Sequence, residues 1–238
     1  MIAAVEVNDL VNRVHCFSLH HKTFLMRAIF IAICILVLQN SGCAQNANKT
    51  NTKGTRHVGG GCEGCEAILE SPIPFARLKS VDTLPDFNEP GPKMEISGIV
   101  YQRDGKTPAK DVVLYVYHTD QTGRYTPGPN AKGWEKRNGR IRAWIKTDQR
   151  GFYKFYTLKP GHYPNTNIPA HIHIIIKEPD KNEYYIDEYL FHGDSFLTPS
   201  EISRQEKRGG SGIISLENKG GMSYGRRNII LGLNIPDY

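Results

Sequence analysis

G161-H-Y-P-N-T-N-I-P-A-H-I-H-I-I-I176 is the stretch on which the reading of this chain turns. Pro160-Gly161 and Tyr163-Pro164 supply turn chemistry, Pro169 closes the loop, and a strand begins at the first histidine. Successive side chains of a strand point to opposite faces. His171 and His173 therefore share one face, while Ile172, Ile174 and Ile176 enter a core from the other. Histidine is the commonest metal ligand, and an i, i+2 pair on a strand suits chelation. Taken alone, the pair reads equally as half of a metal site or as two surface histidines on a half-buried strand.

The neighbouring segments carry the same period. M-E-I-S-G-I-V-Y (94–101) alternates and is followed by turn residues at Asp104-Gly105 and Pro108. D-V-V-L-Y-V-Y-H (111–118) is β-branched and aromatic, with a turn at Asp120 to Gly123. R-I-R-A-W-I-K-T (140–147), D-Q-R-G and G-F-Y-K-F-Y-T-L (151–158) read as a hairpin. Beyond the histidine strand come Y-Y-I-D-E-Y-L-F (184–191), an exposed loop over 199–212, I-I-S-L (213–216) and R-N-I-I-L-G-L (227–233). About eight short strands, turns between them and no long amphipathic helix predict an all-β antiparallel sandwich over residues 94–238. Residues 200–208 have room for a helical turn or two.

The chain has 238 residues, a formal charge of +6 and 39% hydrophobic residues, which suits one globular domain plus a leader. Its basic residues form no run or stripe, so a nucleic-acid-binding role is excluded as an expectation. The apolar run A-I-F-I-A-I-C-I-L-V-L (28–38), with Lys22 and Arg27 before it, is too short to span a bilayer and suits a signal-peptide core; Met26 is a second possible start. Ser41-Gly42-Cys43 resembles a bacterial lipoprotein box, with Cys43 as the lipidated residue and Asn40 where the box usually has Leu; ordinary secretory cleavage stays open. The expected order is leader (1–43), polar tether (44–58), irregular arm (59–93) and sandwich, in an exported, envelope-anchored protein. Cys62 and Cys65 form C-E-G-C, a redox or half-zinc motif in the cytosol and a tight structural disulfide in an oxidising compartment. No second CxxC completes a zinc site, and export favours the disulfide.

Twelve tyrosines compete for a place beside the histidines. Tyr163 sits in a Pro-fixed turn just upstream, and Tyr125 lies in a loop at a strand end. Tyr101, Tyr115, Tyr117, Tyr153, Tyr156, Tyr184, Tyr185 and Tyr189 fall within predicted strands and read as core or face residues. At this point four pieces fall into order: G-R-Y (123–125), T-D-x-x-G-x-Y-x-F-x-T-L-x-P-G-x-Y-P (147–164), P-A-H-I-H (169–173) and F-x-G-D (191–194). Together they resemble the intradiol ring-cleavage dioxygenases, the family of the catechol and protocatechuate dioxygenases, over roughly residues 96–194. The leader and CxxC arm lie outside it and resemble lipoprotein-like bacterial members.

The resemblance implies a non-haem Fe(III) centre held by Tyr125, Tyr163, His171 and His173. It also implies a catechol-type substrate and O2 as partners, and ring opening between the two hydroxylated carbons to a muconate-type diacid. Tyr125, on the more open loop, is implied as the tyrosinate that leaves the metal and takes a substrate proton, the catalytic role. Hard ferric iron favours phenolate oxygen and pulls the phenol pKa far below its ordinary value of about 10. The basic balance of the chain weakly favours an anionic aromatic acid as substrate.

Some positions depart from the family pattern. Ile168 stands where the family usually has an arginine beside the substrate, and Arg124, Arg140 and Arg142 are the possible stand-ins. His162, where the family often has Pro, reads as a supporting group behind the ligands or, by preference, an exposed turn residue, and Asp194 as a turn-stabilising residue rather than a catalytic acid. Trp134 and Trp144 line a pocket or, by default for both and above all for Trp144 on its strand, take core positions. A sandwich that keeps the fold and metal as an anchored binding module without turnover is the alternative function.

Overall fold

The computed structural model describes residues 56–238. The leader, Cys43 and most of the tether lie outside the described residues. None of the described helices is long and apolar enough to cross a membrane. Two stacked sheets make up the fold, an all-β sandwich as the strand pattern predicts.

The first sheet runs in the order β1 (Val81–Thr83), β5 (Phe152–Leu158), β2 (Lys93–Tyr101), β11 (Met222–Arg226), β10 (Leu216–Lys219), with β12 (Ile229–Ile230) pairing the far end of β2. The second runs β4 (Arg142–Lys146), β3 (Val113–Tyr117), β6 (His171–Lys177), β8 (Tyr189–Phe191), β9 (Ile213–Ile214), with β7 (Glu183–Tyr185) also on β6. Strict alternation in β2 buries Met94, Ile96 and Val100 and leaves their neighbours half-exposed. They meet Tyr153 and Phe155 of β5 and, across the sandwich, Leu114, Val116, Ile145, Ile172, Ile174 and Ile176. Burying this apolar surface is the main stabilising term of the sandwich.

The second sheet is covered on both faces, which is why β3 reads as an unbroken apolar run. On its outer face Val113, Tyr115, Trp144 and Ile175 pack against Cys65, Ala67 and Ile68. The segment over residues 59–93, expected to be irregular, supplies that cover with a 3₁₀ helix at Cys65–Glu70. It continues through a shorter 3₁₀ turn at Phe75–Arg77 and adds β1 in parallel to β5. The Trp144 indole donates to the Ile68 carbonyl at 2.7 Å and ties the cover down. Cys62 and Cys65 are disulfide-bonded at its start. The chain is docked even earlier, where the Asn182 side chain bonds both the amide and the carbonyl of Val58 (2.7 and 3.0 Å).

Twelve short strands replace the expected eight or so among the described residues. The run 184–191 is cut at Ile186–Glu188, where the Asp187 carboxylate turns aside to accept from the amides of Lys207 and Arg208 (2.8 and 3.0 Å). β11 went unread because M-S-Y-G-R lacks β-branched residues; its pairing with β2 supplies the order. A helix at Pro199–Ser203 occupies the loop predicted to hold a helical turn, with Thr198 accepting from the Glu201 amide as its N-cap.

Candidate metal centre

β6 places His171 and His173 on the outer face of the second sheet, beyond the end of the 3₁₀ cover, while Ile172, Ile174 and Ile176 go into the core. Tyr117, opposite His173 on β3, stacks on its ring at 4.5 Å between centroids. Two loops bring a phenol each to the same place. Tyr125 Oη lies 2.5 Å from Tyr163 Oη and 2.6 Å from His173 Nε2. Tyr163 Oη lies 3.0 Å from His171 Nε2 and 3.4 Å from His173 Nε2. The four residues singled out by the motifs therefore converge.

Local chemistry fixes both loops. After β3 the buried His118 bridges the Thr119 carbonyl and the Thr157 hydroxyl of β5, both at 2.7 Å, and burial lowers its pKa to about 4. The Asp120 carboxylate then gathers the turn, accepting from Thr122 N–H at 2.8 Å, Arg124 N–H at 3.2 Å, Thr122 Oγ1 at 2.6 Å and Thr126 Oγ1 at 2.5 Å. Gly123 adopts φ +76°, and a Cβ there would stand 1.7 Å from the His162 carbonyl oxygen. The Tyr125 loop thus lies directly on the Tyr163 loop, and only glycine permits that approach. Gly161 N–H donates to the Asp120 carbonyl at 3.0 Å and Thr119 Oγ1 to the Gly161 carbonyl at 2.8 Å, joining the loops again.

The histidine tautomers follow from the outer nitrogens. His171 Nδ1 donates to the Pro169 carbonyl at 2.7 Å, and His173 Nδ1 donates to Glu188 Oε1 at 2.6 Å. Both rings then present an unprotonated Nε2 towards the phenols, the form a metal requires. Ligand atoms of His171, His173 and Glu188 all lie within 4.8 Å of one another. The Glu188 carboxylate nonetheless takes the outer nitrogen of His173, so it orients the ring and stands apart from the two-oxygen, two-nitrogen set. Burial works against its charge, but the hydrogen bond from His173 outweighs that and holds its pKa at about 2. Burial also pushes the phenols of Tyr125 and Tyr163 above their ordinary value and lowers the His171 pKa. Neutral imidazoles are what a metal binds, and only a highly charged cation would ionise phenols so placed. Hard phenol oxygens with imidazole nitrogens fit ferric iron, and two phenolates would offset most of its charge.

Family comparison agrees with this arrangement. The family model Dioxygenase_C, described as a dioxygenase, matches residues 76–210, more than half of the chain, and includes all four converging residues. The chain belongs to the intradiol dioxygenase family. Among solved structures it is similar to the dioxygenase domain of a dioxygenase carbohydrate-binding protein fusion from Streptomyces sp. SirexAA-E. That match has 20% identity and a TM-score of 0.48, over 68% of this chain and 95% of that one. It is also similar to catechol 1,2-dioxygenase from Acinetobacter sp. ADP1 (18% identity, TM-score 0.49, 68% of this chain and 60% of that one). A third is an intradiol ring-cleavage dioxygenase from Tetranychus urticae (20% identity, TM-score 0.46, 64% of this chain and 85% of that one). The match to the Acinetobacter enzyme spans less than two thirds of that enzyme's length.

In this family member the positions that depart from the motif have definite surroundings. Ile168 is 45% exposed on the loop before β6. Arg140 is paired with Asp86 at 2.8 Å, and Arg142 with Glu70 and Glu135 at 3.3 and 3.2 Å, so neither is free to serve the site. Arg124 is exposed. His162 keeps part of the expected exposure, its side chain being 39% exposed, but its Nε2 also lies 2.9 Å from Asp194 and its ring meets Phe196 edge-on. Asp194 accepts from Phe196 N–H at 2.9 Å, as a turn residue does, and also from Ala170 N–H at 3.3 Å. Trp144 is core, while Trp134 packs on Gly64 of the arm and under Arg137. Sequence reading missed Glu188; the available signal was a pair of adjacent acids, Asp187-Glu188, in the middle of an apolar run. Beside His173 opens a cleft of about 290 Å³, walled by Gly61, Cys62 and Glu63 of the arm and by Tyr117, Tyr185 and Glu188.

Proposed function

We propose that this chain is a non-haem Fe(III) dioxygenase that opens a catechol-type ring between its two hydroxylated carbons. The observation that carries the reading is the convergence of Tyr125, Tyr163, His171 and His173 on one point, each histidine with its outer nitrogen already occupied. These four residues would hold the ion. When bound, ferric iron supplies Lewis acidity and a template for the two catechol oxygens. The reaction breaks the carbon–carbon bond between the hydroxylated carbons and places both atoms of O2 in the two new carboxyl groups of a muconate-type diacid. Tyr125, between Tyr163 and His173 and carried on the loop that Asp120 shapes, is the group assigned to take a proton at its phenolate oxygen from a substrate hydroxyl. Glu188 and the Pro169 carbonyl keep the imidazoles in the binding tautomer throughout.

Ile168 favours a second reading, in which the sandwich keeps metal and catechol binding without turnover. The visible absorption spectrum of the iron-loaded protein, before and after adding catechol under air, decides between the two. A tyrosinate-to-iron band that shifts to longer wavelength and then decays while muconate forms is the expected result. A shifted band that persists favours the binding module, and no band at all overturns the ligand assignment.

The same proposal includes export and an envelope anchor at Cys43. Incorporation of labelled palmitate that is lost in Cys43→Ala supports the anchor, and a soluble, unlabelled mature chain overturns it.

A further inference from the structure

We infer that Glu70, at the end of the 3₁₀ cover, is a positioning residue for Tyr125: it reaches from the arm and holds the return limb of the loop that carries this phenol. The inference rests on the ring-cleaving reading, in which Tyr125 is both ligand and proton acceptor. The connection from β3 to β4 runs over residues 118–141, too long to fix a ring by its ends alone. Asp120 gathers its outgoing limb. The return limb lies on Tyr125 itself. Arg140 N–H donates to the Thr126 carbonyl at 3.0 Å. Gly139 adopts φ +71°, and a Cβ there would stand 3.0 Å from the Tyr125 carbonyl carbon and 3.1 Å from its Cα. Whatever holds residues 133–142 therefore holds the Tyr125 backbone.

Glu70 supplies that hold. Both of its carboxylate oxygens lie 3.0 Å from the Trp134 nitrogen and accept its N–H. They sit so close on Gly133 that a Cβ there would collide with Oε1. The same carboxylate meets the Arg142 guanidinium at 3.3 Å, and Arg142 meets Glu135 at 3.2 Å. The other Glu135 oxygen accepts the Gly128 N–H at 3.1 Å, just beyond Tyr125. These contacts leave the arm at Glu70 and close on both limbs of the loop. Exposed ion pairs are worth little, and Arg137–Glu63, with side chains 63% and 78% exposed, is one of them. The Arg142 side chain is only 13% exposed, so its two pairs are shielded from water and act as charge-assisted hydrogen bonds. The family match begins at residue 76, so Glu70 works from outside the matched span.

The test compares the full chain with Glu70→Ala and Glu70→Gln, and takes Leu69→Ala, an exposed neighbour, as control. In the metal-free protein, hydrogen exchange follows the amides of Gly128, Trp134 and Arg140. Glu70→Ala should speed all three about tenfold or more, the size that a hydrogen bond to a charged group lends. Glu70→Gln, whose amide oxygen still accepts from Trp134, should fall between the two, and Leu69→Ala should match the parent. In the iron-loaded protein, Glu70→Ala should hold iron about tenfold more weakly against a chelator and show a displaced tyrosinate-to-iron band. With catechol added anaerobically, when Tyr125 by the same reading has left the ion, the bands of parent and variant should coincide. Exchange rates or a resting band that do not move, or bands that differ equally with and without catechol, overturn this inference and leave the ring-cleaving reading standing. A parent that shows no band overturns that reading instead, and the exchange rates still decide whether Glu70 holds the loop.

Discussion

Glu188 and the Pro169 carbonyl decide which nitrogen of each histidine faces the phenols, and that choice turns two rings into potential ligands. Glu188→Ala should lower iron affinity about 10- to 100-fold, while Glu188→Gln, whose amide oxygen still accepts from Nδ1, should recover most of it. Iron titration in competition with a chelator measures both. Tyr163→Phe and His173→Ala remove a donor outright and should abolish bound iron and its colour; a variant that stays coloured and active would sink the assignment. Asp120 provides a test by pH. Burial tends to raise its pKa, but the hydrogen bonds from Thr122, Thr126 and Arg124 prevail and leave it lowered. A lowered folded-state pKa stabilises the fold above the unfolded value near 3.9, and that contribution fades as pH falls through the folded value. Asp120→Asn should therefore be less stable than the parent at neutral pH, with the difference closing in acid, as denaturant melts at several pH values would show.

At the scale of elements, the centre is made by two loops pressed together above the start of one strand. Gly123→Ala must push a Cβ into the His162 carbonyl or leave the positive φ, and either separates Tyr125 from Tyr163. Lost or substoichiometric iron in a chain whose circular dichroism is unchanged is the expected outcome, and full iron occupancy would contradict it. Asp194 links His162 of one loop to Ala170 at the head of β6, so Asp194→Ala should weaken iron binding without touching any ligand. The strands were legible because alternation and β-branching are local: β2, β3, β5 and β6 fall within or beside the segments read from the sequence. The tyrosine loops were legible through Gly, Pro and Asp turn chemistry. Glu188 was not, because it lies in what reads as an unbroken strand, and its partner is fifteen residues away in sequence.

For the whole molecule, the arm over residues 59–93 does more than connect. Its 3₁₀ helix buries Ala67 and Ile68 on the outer face of the second sheet, and its disulfide loop walls the cleft. Ile68→Ala should cost about 2–5 kcal/mol by cavity formation. Cys62→Ser, which opens a short loop, should cost about 2 kcal/mol. Urea unfolding measures each.

By itself, the sequence determined the all-β class, the strand that carries the histidines, the two tyrosines and the family, because period, turn chemistry and short motifs are written in adjacent residues. Tertiary structure alone decided the rest: that Glu188 meets His173, that His162 is held by Asp194, that Arg140 and Arg142 are already paired, and that carboxylates line the cleft. Each of those contacts joins residues from separate elements. Sheet order and loop packing set their distance, and no local pattern records it.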